Sequence, residues 1–383
     1  MKIFHTADWH LGKIVQGVHM TEDQRFVLRE FIQHVKEEKP DAIIIAGDLY
    51  DRAIPPTDAV HLLNETLEEL VLDLHIPTLI IAGNHDSPGR LDFGSKIMES
   101  RGLHIVGKYD KDRPPLVLED EYGEVHFHLI PFCDPSVVRQ AFEDEEIRSF
   151  DDAMKRIVEH IEKTYSPEAR QVFVGHAFVT PGGRPEENTS ASEVTLSVGG
   201  AEHVSNEHFE KFTYTALGHL HRAHRVGSDN IRYAGSLLKY SISEENHDKG
   251  YYVVDITGDD VEIEKRTLTP RRDMYTITAS IDEIQKMEER DDYVFIELTD
   301  QTPVLSPMEK VRAIFPNALH VKRKYLPVTD REKSEEEKDR REMTDVELFE
   351  SFYKEITGEQ AEEEMLTLFK EVMDEQLDKQ RKQ

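Results

Sequence analysis

The sequence predicts an α/β protein with layered sheets, followed by a smaller α+β unit and a helical tail. Two observations predict the layers: short apolar runs alternate with helical patterns over roughly the first 220 residues, and four of these runs are rich in β-branched residues. The four runs are DAIIIAGD (41–48), PTLIIAGNHD (77–86), RQVFVGHA (170–177) and FTYTALGHLH (212–221). Their continuous apolarity is typical of strands that are covered on both faces.

The composition limits the class of protein. A chain of 383 residues is long enough for two or three domains, and its single cysteine, Cys133, excludes an internal disulfide framework. No apolar run approaches the ~18 residues of a membrane span, and no signal-peptide pattern opens the sequence. We therefore expect a cytoplasmic protein with no membrane role. A net charge of −30 argues against wrapping nucleic acid by bulk electrostatics, although bound divalent cations would reverse the field locally.

Helices are predicted between the strands. Thr21 and Gln24 form a capping-box pattern at the start of the first helix, and Pro40 closes that helix. Its apolar positions are Phe26, Val27, Phe31, Ile32 and Val35. A second helix over 57–74 is expected to carry Val60, Leu63, Leu67 and Leu70 on one face. After Gly218 the pattern becomes rich in strands.

The end of the chain divides into three predicted segments after a body of residues 1–270. Residues 271–326 have a β-α-β-α-β pattern, whose second helix is framed by Ser306 as N-cap, Pro307 at the first helical position and Glu309 completing a capping box. Residues 327–343 are almost all charged and predict a solvated linker or exposed helix. Residues 344–383 predict two amphipathic helices, the first opened by a Thr344/Glu347 capping box. These helices either fold back on the body or, as we favour, dock on helices of another chain.

The candidate chemistry lies where the predicted strands end. Four of them end in an apolar run, a glycine and then a residue that can bind a metal. The carboxyl ends of strands form the site in an open α/β sheet, and a glycine there lets the chain turn sharply. These four residues are Asp48, Asn84, His176 and His219, and Asp8, His10 and His221 lie beside similar strand ends.

These seven residues predict a site for two metal ions. They offer three oxygen donors and four imidazoles, with no thiolate, which suits Mn²⁺, Fe²⁺ or Zn²⁺ better than Mg²⁺ or Ca²⁺. Seven ligands are too many for one ion but fit two ions about 3.5–4 Å apart that share a bridging carboxylate. Asp48 is the expected bridge, because it ends a central strand between the two sets of ligands.

Five motifs carry a resemblance to a known family. DWH at 8–10, GDLYD at 47–51, GNHD at 83–86, GH at 175–176 and GHLH at 218–221 resemble, in this order, the signature of the calcineurin-like metallophosphoesterases. Within that superfamily, HTADWHLG, GDLYDRAIPP, GNHDSPGRL and YAGSLLKYSISE look like the nuclease subunits of SbcCD-type DNA-repair complexes. The resemblance covers about residues 1–326 and implies a layered β-sandwich flanked by helices.

The resemblance also implies residue roles. One ion would be held by Asp8, His10, Asp48 and His221, and the other by Asp48, Asn84, His176 and His219. His85 would stand over the scissile phosphate and protonate the leaving oxygen or stabilise charge in the transition state. Asp51 or Asp86 would orient the His85 ring. Archaeal relatives tend to carry a histidine where this chain has Asp51.

The implied activity is that of a Mn²⁺-dependent DNA nuclease, with 3′→5′ exonuclease action on duplex ends and endonuclease action at hairpins or blocked ends. The implied assembly is a homodimer within a heterotetramer that contains the SMC-like ATPase SbcC, associated with the nucleoid. Residues 271–326 would be a DNA-binding cap and residues 344–383 would dock on the SbcC coiled coil. Candidate DNA contacts are Ser87, Arg90, Arg222, Arg225, Lys322, Arg323 and Lys324.

Two alternatives differ in class. A metallophosphatase or nucleotide phosphodiesterase would use the same motifs, but a small-molecule enzyme needs neither the small unit nor the helical tail. A scaffold with a vestigial metal site is disfavoured because all seven ligands and His85 are present.

Overall fold

A computed structural model describes residues 1–166, 168–183, 203–258, 260–300 and 302–324, and in the tail residues 346, 348–350, 353, 361, 365–370 and 372. The chain divides into two compact units, Met1–Lys322 and Arg323–Gln383. The strands are β1 Lys2–Thr6, β2 Ile14–Val15, β3 Val18–His19, β4 Ala42–Ala46, β5 Thr78–Ile81, β6 Leu103–Val106, β7 Leu116–Asp120, β8 Gly123–Ile130, β9 Arg170–His176, β10 Val179–Thr180, β11 Val204–Ser205, β12 Tyr214–Gly218, β13 His224–Val226, β14 Ser228–Tyr233, β15 Gly250–Thr257, β16 Asp260–Thr267, β17 Met274–Ala279, β18 Tyr293–Leu298 and β19 Ala318–Arg323.

The α-helices are α1 Thr21–Glu38, α2 Thr57–Leu67, α3 Pro88–Leu91, α4 Ser95–Glu99, α5 Pro135–Phe142, α6 Phe150–Glu162, α7 Ile281–Ile284 and α8 Pro307–Arg312. A π-helical stretch, Glu68–Asp73, continues α2, and short 3₁₀ turns form at Pro181–Gly183, Asn206–Phe209 and Ile242–Glu244. No helix in these described ranges is long and apolar enough to cross a membrane.

The first large sheet has the strand order β16-β15-β1-β4-β5-β6, in which β1, β4, β5 and β6 are parallel. Every residue of β4 is buried. Ile43 and Ile45 pack with Val27 and Phe31 of α1, whereas Ile44 faces the opposite way, into the core shared with the second sheet. The unbroken apolar run of β4 is therefore explained by burial on both faces.

The second large sheet has the order β13-β14-β12-β9-β8-β7. Alternate residues of β9 again face two different cores. Val172 and Val174 meet the first sheet, and Phe173 packs with Ile157 and Ile161 of α6. Two six-stranded sheets thus pack face to face with helices outside each, which confirms the predicted layered β-sandwich.

A third sheet, with the order β17-β18-β19, has its own small core. Ile284 and Val311 of its two short helices pack on Val294 and Ile296 of β18. This sheet is joined to the body within the first unit, because the hydroxyl of Tyr293 donates to the Asp23 carboxylate of α1 at 2.7 Å. The domain boundaries at 270 and 326 stay a prediction.

Several local predictions are wrong. The first helix has Met20 as its N-cap with no side-chain cap, because Thr21 donates to Asp58 instead, at 2.8 Å, and the Gln24 side chain points to a loop described below. Phe26 and Val60 are exposed, at 44% and 42%, so each lies outside the apolar face assigned to it.

The second helix of the small unit is predicted in part. Ser306 is the N-cap of α8 and Pro307 follows it, but the Ser306 side chain makes no cap hydrogen bond. The reason is its backbone, which has a left-handed conformation with φ of 45°.

The tail predictions fall mostly on residues that the structure does not describe. The linker at 327–343 and the Thr344/Glu347 capping box lie outside the described residues. Within the second unit, the rings of Phe349 and Phe369 stack at 4.2 Å between centroids.

Candidate metal centre

Loops that follow strands of both large sheets meet at one place. Strands β1, β4 and β5 of the first sheet and β9 and β12 of the second end there. The structure brings together all seven predicted ligands, of which Asn84 is half-buried and the others are buried: Asp8, His10, Asp48, Asn84, His176, His219 and His221.

The backbone of these loops is strained in a consistent way. Among the described residues, nine non-glycine residues have positive φ, and four of them are predicted ligands: Asp8, His10, Asp48 and His219. Such conformations persist only where the surrounding structure enforces them, and they cluster at functional sites. The strain therefore indicates that the fold holds these side chains in place for a purpose other than packing.

The glycine before a ligand is required because a side chain at that position would clash, as well as because the chain turns sharply there. A Cβ atom at Gly83 would lie 2.1 Å from Oδ1 of Asp48, and one at Gly218 would lie 1.9 Å from the main-chain oxygen of Ala46. The Gly-ligand pattern seen in the sequence thus lets two neighbouring strand ends approach closely enough for their side chains to share one site.

Asp48 occupies the middle of the site. Its Oδ2 lies 3.6 Å from Nε2 of His10 and 3.4 Å from Nε2 of His176, while its Oδ1 accepts a hydrogen bond from the main-chain N–H of His85 at 2.9 Å. One carboxylate therefore faces imidazoles on both sides, and its role as a bridging ligand stays a prediction.

Two groups of ligand atoms converge on either side of Asp48. In the first, which we call the His10 group, Nε2 of His10 lies 3.0 Å from Nε2 of His221. In the second, the Asn84 group, Oδ1 of Asn84 lies 3.0 Å from Nε2 of His176 and 3.2 Å from Nδ1 of His219. Asp8 lies beside Asp48 and the Asn84 group: its carboxylate accepts from the main-chain N–H of His219 at 2.9 Å, and its ligand atoms lie within 4.8 Å of those of Asp48 and His176.

Hydrogen bonds behind the rings set the direction of their lone pairs. Nδ1 of His176 donates to the main-chain oxygen of Ala46 at 2.9 Å, and Nδ1 of His221 faces Oε1 of Glu244 at 3.2 Å. Since each acceptor needs a proton on Nδ1, the Nε2 lone pair of each ring points into the site.

The electrostatics of the site favour bound cations. Burial lowers the pKa of His10. Burial and the nearby His176 lower the pKa of His219 to about 3. Both imidazoles therefore stay neutral and can each offer a nitrogen lone pair to a metal ion. Burial alone would raise the pKa of Asp48, but His176 and His10 hold it below its usual range. Burial likewise lowers the pKa of His176, yet Asp48 and Asp8 raise it to about 9. Positive charge is therefore favoured between the carboxylates.

His85 is half-buried beside the ligands. Its ring centroid lies 4.7 Å from that of His10, and its Nδ1 donates to the main-chain oxygen of Asp51 at 2.8 Å. Nε2 is consequently the nitrogen left for a substrate oxygen. The role of His85 as a residue that stands over the site and binds no metal stays a prediction, since one ligand atom each of His10, Asp51 and His85 lie within 4.8 Å of one another.

Asp51 and Asp86 do not use their carboxylates to orient His85. The carboxylate of Asp51 pairs with Nζ of Lys13 at 2.8 Å, and only its main-chain oxygen reaches His85. Asp86 accepts from the main-chain N–H groups of Leu49, Tyr50 and Gly83 at 2.9–3.1 Å. We therefore revise the expectation for Asp86: it ties two ligand loops together. Burial and the nearby Asp48 raise the pKa of Asp86 to about 7.

Sequence reasoning missed several residues that support the site. Gln24 donates to the main-chain oxygens of Trp9, at 3.1 Å, and His10, at 2.8 Å, and its Oε1 accepts from Gly12 N–H at 3.1 Å. Glu244 stands behind His221. Glu244 gave no distinct signal, because Glu245 follows it directly and nothing local linked it to a histidine more than twenty residues away.

Glu244 is charged despite its burial. Burial alone would raise its pKa, but the adjacent Lys249 ammonium and His221 hold that pKa well below its ordinary value. The two side chains form a buried ion pair, with the Lys249 Nζ 2.5 Å from Oε2 of Glu244.

The predicted DNA contacts are accessible, and two of them pair with acidic side chains. Ser87 is half-buried and the six basic residues are exposed. Arg225 pairs with Asp229 at 2.7 Å and Lys322 with Glu297 at 2.8 Å, which reduces the positive charge that these two can offer. As a set they stay a prediction: Ser87, Arg90, Arg222, Arg225, Lys322, Arg323 and Lys324.

The donor set fits divalent ions by its chemistry. Buried carboxylate, amide and imidazole atoms converge with their lone pairs directed inward, and no thiolate takes part. Imidazole and amide ligands are neutral when they bind an ion, so two dications bound with the two carboxylates would give the site a net positive charge.

Two family models match this chain. One described as calcineurin-like phosphoesterase matches residues 1–223, and one described as the C-terminal domain of the type 5 capsule protein repressor matches residues 270–357. The chain therefore belongs to the calcineurin-like phosphoesterases, and the predicted metal-dependent phosphoesterase class is confirmed. Membership of this class implies bound divalent metal ions.

The relationship is closer to one branch of the family. The chain is 35% identical over 364 residues to SbcD, a subunit of the nuclease SbcCD, from Staphylococcus epidermidis, and 34% identical over 363 residues to SbcD from Staphylococcus saprophyticus, with 94% of each chain covered in both cases. The chain is thus a member of the SbcD family, as the motifs indicated. A crystal structure of a dimetal phosphatase from Danio rerio is similar at a TM-score of 0.40 and 10% identity, covering 70% of this chain and 96% of that one.

Proposed function

We propose that this protein is a two-metal DNA nuclease that uses Mn²⁺. The observation that carries the proposal is the position of Asp48, whose Oδ2 lies within 3.6 Å of an imidazole nitrogen on each side. A carboxylate so placed suits a pair of ions, the names of the curated relatives favour a nucleic acid among the phosphodiesters, and DNA is the nucleic acid that the motif resemblance implies. The mixture of imidazole, carboxylate and amide ligands favours Mn²⁺ over Mg²⁺.

In this proposal the ligands are allocated to two ions. Asp8, His10, Asp48 and His221 hold one, and Asp48, Asn84, His176 and His219 hold the other. The ions, when bound, activate water for in-line attack and neutralise the phosphodiester charge. The chain thereby attracts a phosphate substrate locally although its net charge is −30.

His85 is the proposed general acid. The hydrogen bond from Nδ1 to the Asp51 main chain fixes its ring, and Nε2 donates a proton to the leaving 3′ or 5′ oxygen. A positioned acid of this kind contributes roughly 10²–10⁴-fold to the rate.

The proposed substrates and partners are those of an SbcCD complex. The chain acts as a 3′→5′ exonuclease on duplex ends and as an endonuclease at hairpins or blocked ends, within a heterotetramer that contains SbcC at the nucleoid. A partner chain is supported by the relatives' names, since each is one subunit of SbcCD. The side chains of Phe93 and Ile97, 85% and 79% exposed around α4, support a second copy of this chain as a further partner.

The domain roles belong to the same proposal. Residues 1–270 carry the nuclease centre, residues 271–326 cap the DNA, and residues 344–383 dock on the SbcC coiled coil beyond the linker at 327–343. The separate small core beneath β17–β19 supports a capping unit.

A nuclease assay tests the proposal. The purified chain is incubated with Mn²⁺ and two end-labelled DNAs, a single strand and a hairpin-ended duplex, with EDTA and His85→Ala as controls. We expect cleavage that EDTA abolishes and His85→Ala lowers by about 10²–10⁴-fold. His224→Ala is the matched control, because His224 lies three residues beyond His221 but donates to the main-chain oxygen of Arg222 and stacks on Tyr233.

The same assay separates the alternative activity. A metallophosphatase or nucleotide phosphodiesterase would hydrolyse a phosphomonoester or a nucleotide diester and leave both DNAs intact. That result would overturn the nuclease proposal and leave the metal centre in place.

A further inference from the structure

A buried ion pair stands behind the His221 ligand, on the side away from the other ligands. Glu244 ends the 3₁₀ turn Ile242–Glu244, and Lys249 immediately precedes β15. Their side chains are 0% and 6% exposed. Burying two charges is costly unless their hydrogen bonds are well satisfied, so a pair retained here calls for a function.

The ion pair contacts His221 at two points. Oε1 of Glu244 lies 3.2 Å from Nδ1 of His221, and Nζ of Lys249 donates to the main-chain oxygen of His221 at 2.8 Å. Lys249 also donates to Oε2 of Glu244 at 2.5 Å and to Oγ of Ser236 at 2.8 Å. The ammonium therefore has an acceptor for each of its three protons.

The carboxylate determines which nitrogen of His221 carries the proton. An ionised carboxylate only accepts hydrogen bonds, so Nδ1 must donate and Nε2 keeps its lone pair. That lone pair faces Nε2 of His10 at 3.0 Å, where an ion of the His10 group would bind.

We infer that Glu244 is a positioning residue for metal binding, which selects the His221 tautomer and is itself held by Lys249. The inference rests on the proposed two-ion centre. Outer hydrogen-bond partners of metal-binding histidines commonly change metal affinity by about 10–100-fold when they are removed.

Glu244→Gln tests the inference because it reverses the tautomer. An amide has only one acceptor oxygen, which the Lys249 ammonium will take, leaving the NH₂ group to donate to Nδ1 of His221. Nε2 then carries the proton and must lose it before it can bind an ion. The same loss of the correct tautomer follows Asp→Asn substitution in a serine protease triad.

Glu245 provides a matched control one residue away. Its carboxylate accepts from the main-chain N–H of Thr276 in β17 at 2.8 Å. Glu245→Gln thus also removes one negative charge from this turn, but the hydrogen bond that it alters is made with the small sheet.

Mn²⁺ binding is measured by titration calorimetry of the full chain. On the metal-free protein, ¹⁵N NMR locates the protons of the histidine rings and thermal unfolding measures stability. We expect Glu244→Gln to weaken one of two Mn²⁺ sites by about 10–100-fold and to move the His221 proton from Nδ1 to Nε2. Glu245→Gln keeps wild-type affinity. The His221 signals are assigned by their loss in His221→Ala, which also loses that site.

A second variant covers the case in which Glu244→Gln does not fold. In Glu244→Gln/Lys249→Met no ammonium competes for the amide oxygen, whose two lone pairs can then accept from Nδ1 of His221 and from the main-chain N–H of Tyr240. Mn²⁺ therefore binds more tightly than to Glu244→Gln or, if that protein is unfolded, than to His221→Ala. A purely structural role predicts the reverse, because the double variant loses more bonds.

The outcomes separate the two proposals. Wild-type affinity and an unchanged tautomer in folded Glu244→Gln, with a site lost in His221→Ala, would overturn the positioning inference alone. Unchanged Mn²⁺ binding in both Glu244→Gln and His221→Ala would overturn the proposed centre as well.

Discussion

The two groups of ligands differ in what holds them. In the Asn84 group, main-chain atoms do so: His176 donates to the Ala46 carbonyl, and Gly83 packs directly against Asp48. In the His10 group, side chains from distant segments do so, namely Gln24 from α1 and Glu244 from the turn before β15. The difference teaches that the hydrogen bond behind the His176 ring can be removed only by moving the backbone, whereas the one behind the His221 ring can be removed by replacing a single side chain.

Asp48→Asn removes the feature that both groups share. An amide offers one oxygen and no charge, so we expect two bound Mn²⁺ ions to fall to at most one and the cleavage rate to fall about 10³-fold, or roughly 4 kcal/mol of activation free energy. Metal analysis of the dialysed protein and single-turnover cleavage measure the two effects. A variant that kept both ions and the wild-type rate would remove Asp48 as the bridge.

Gly83→Ala disturbs the backbone that holds the Asn84 group. The new methyl group would lie 2.1 Å from Oδ1 and 2.4 Å from the main-chain nitrogen of Asp48, so the strand ends must separate, at a cost of about 3 kcal/mol in the free energy of unfolding. Urea unfolding measures this cost. Gly89→Ala is the control, since its methyl group would meet only the side chain of Lys108, at 3.8 Å, and should not destabilise the protein.

Gln24→Ala removes a side chain that supports the His10 group. It leaves the main-chain oxygens of Trp9 and His10 without this donor in a buried loop, which should cost about 2 kcal/mol of unfolding free energy and weaken Mn²⁺ binding. The control is Gln33→Ala on the same helix, where an exposed amide donates to Glu37 and the expected cost is below about 0.5 kcal/mol. Equal losses in both variants would contradict a special role for Gln24.

The difference between the groups also explains what the sequence could predict. The α/β layering was predictable because runs such as AIIIA are typical of strands buried on both faces, whereas the β-sandwich was predicted from the family resemblance. The ligands were predictable because each follows a strand and a short-range glycine pattern, as Gly83-Asn84 does. In both cases the information lies within a few neighbouring residues.

Features that depend on distant contacts were not predictable from local patterns. Gln24 matched a capping box, but its helix begins without one because the amide is needed by a loop more than ten residues earlier. Asp86 neighbours His85 in sequence, yet its carboxylate accepts hydrogen bonds from three main-chain N–H groups. Burial at the ends of α1 and α2 depends on which side other elements cover, so Phe26 and Val60 were assigned to the wrong side.

Anomalous diffraction from a crystal of the protein grown with Mn²⁺ tests the central claim most directly. We predict two manganese peaks about 3.5–4 Å apart, one beside His10 and His221 and the other beside Asn84, His176 and His219, with the Asp48 carboxylate bound to both. A single peak, or two peaks with Asp48 bound to only one of them, would contradict the account.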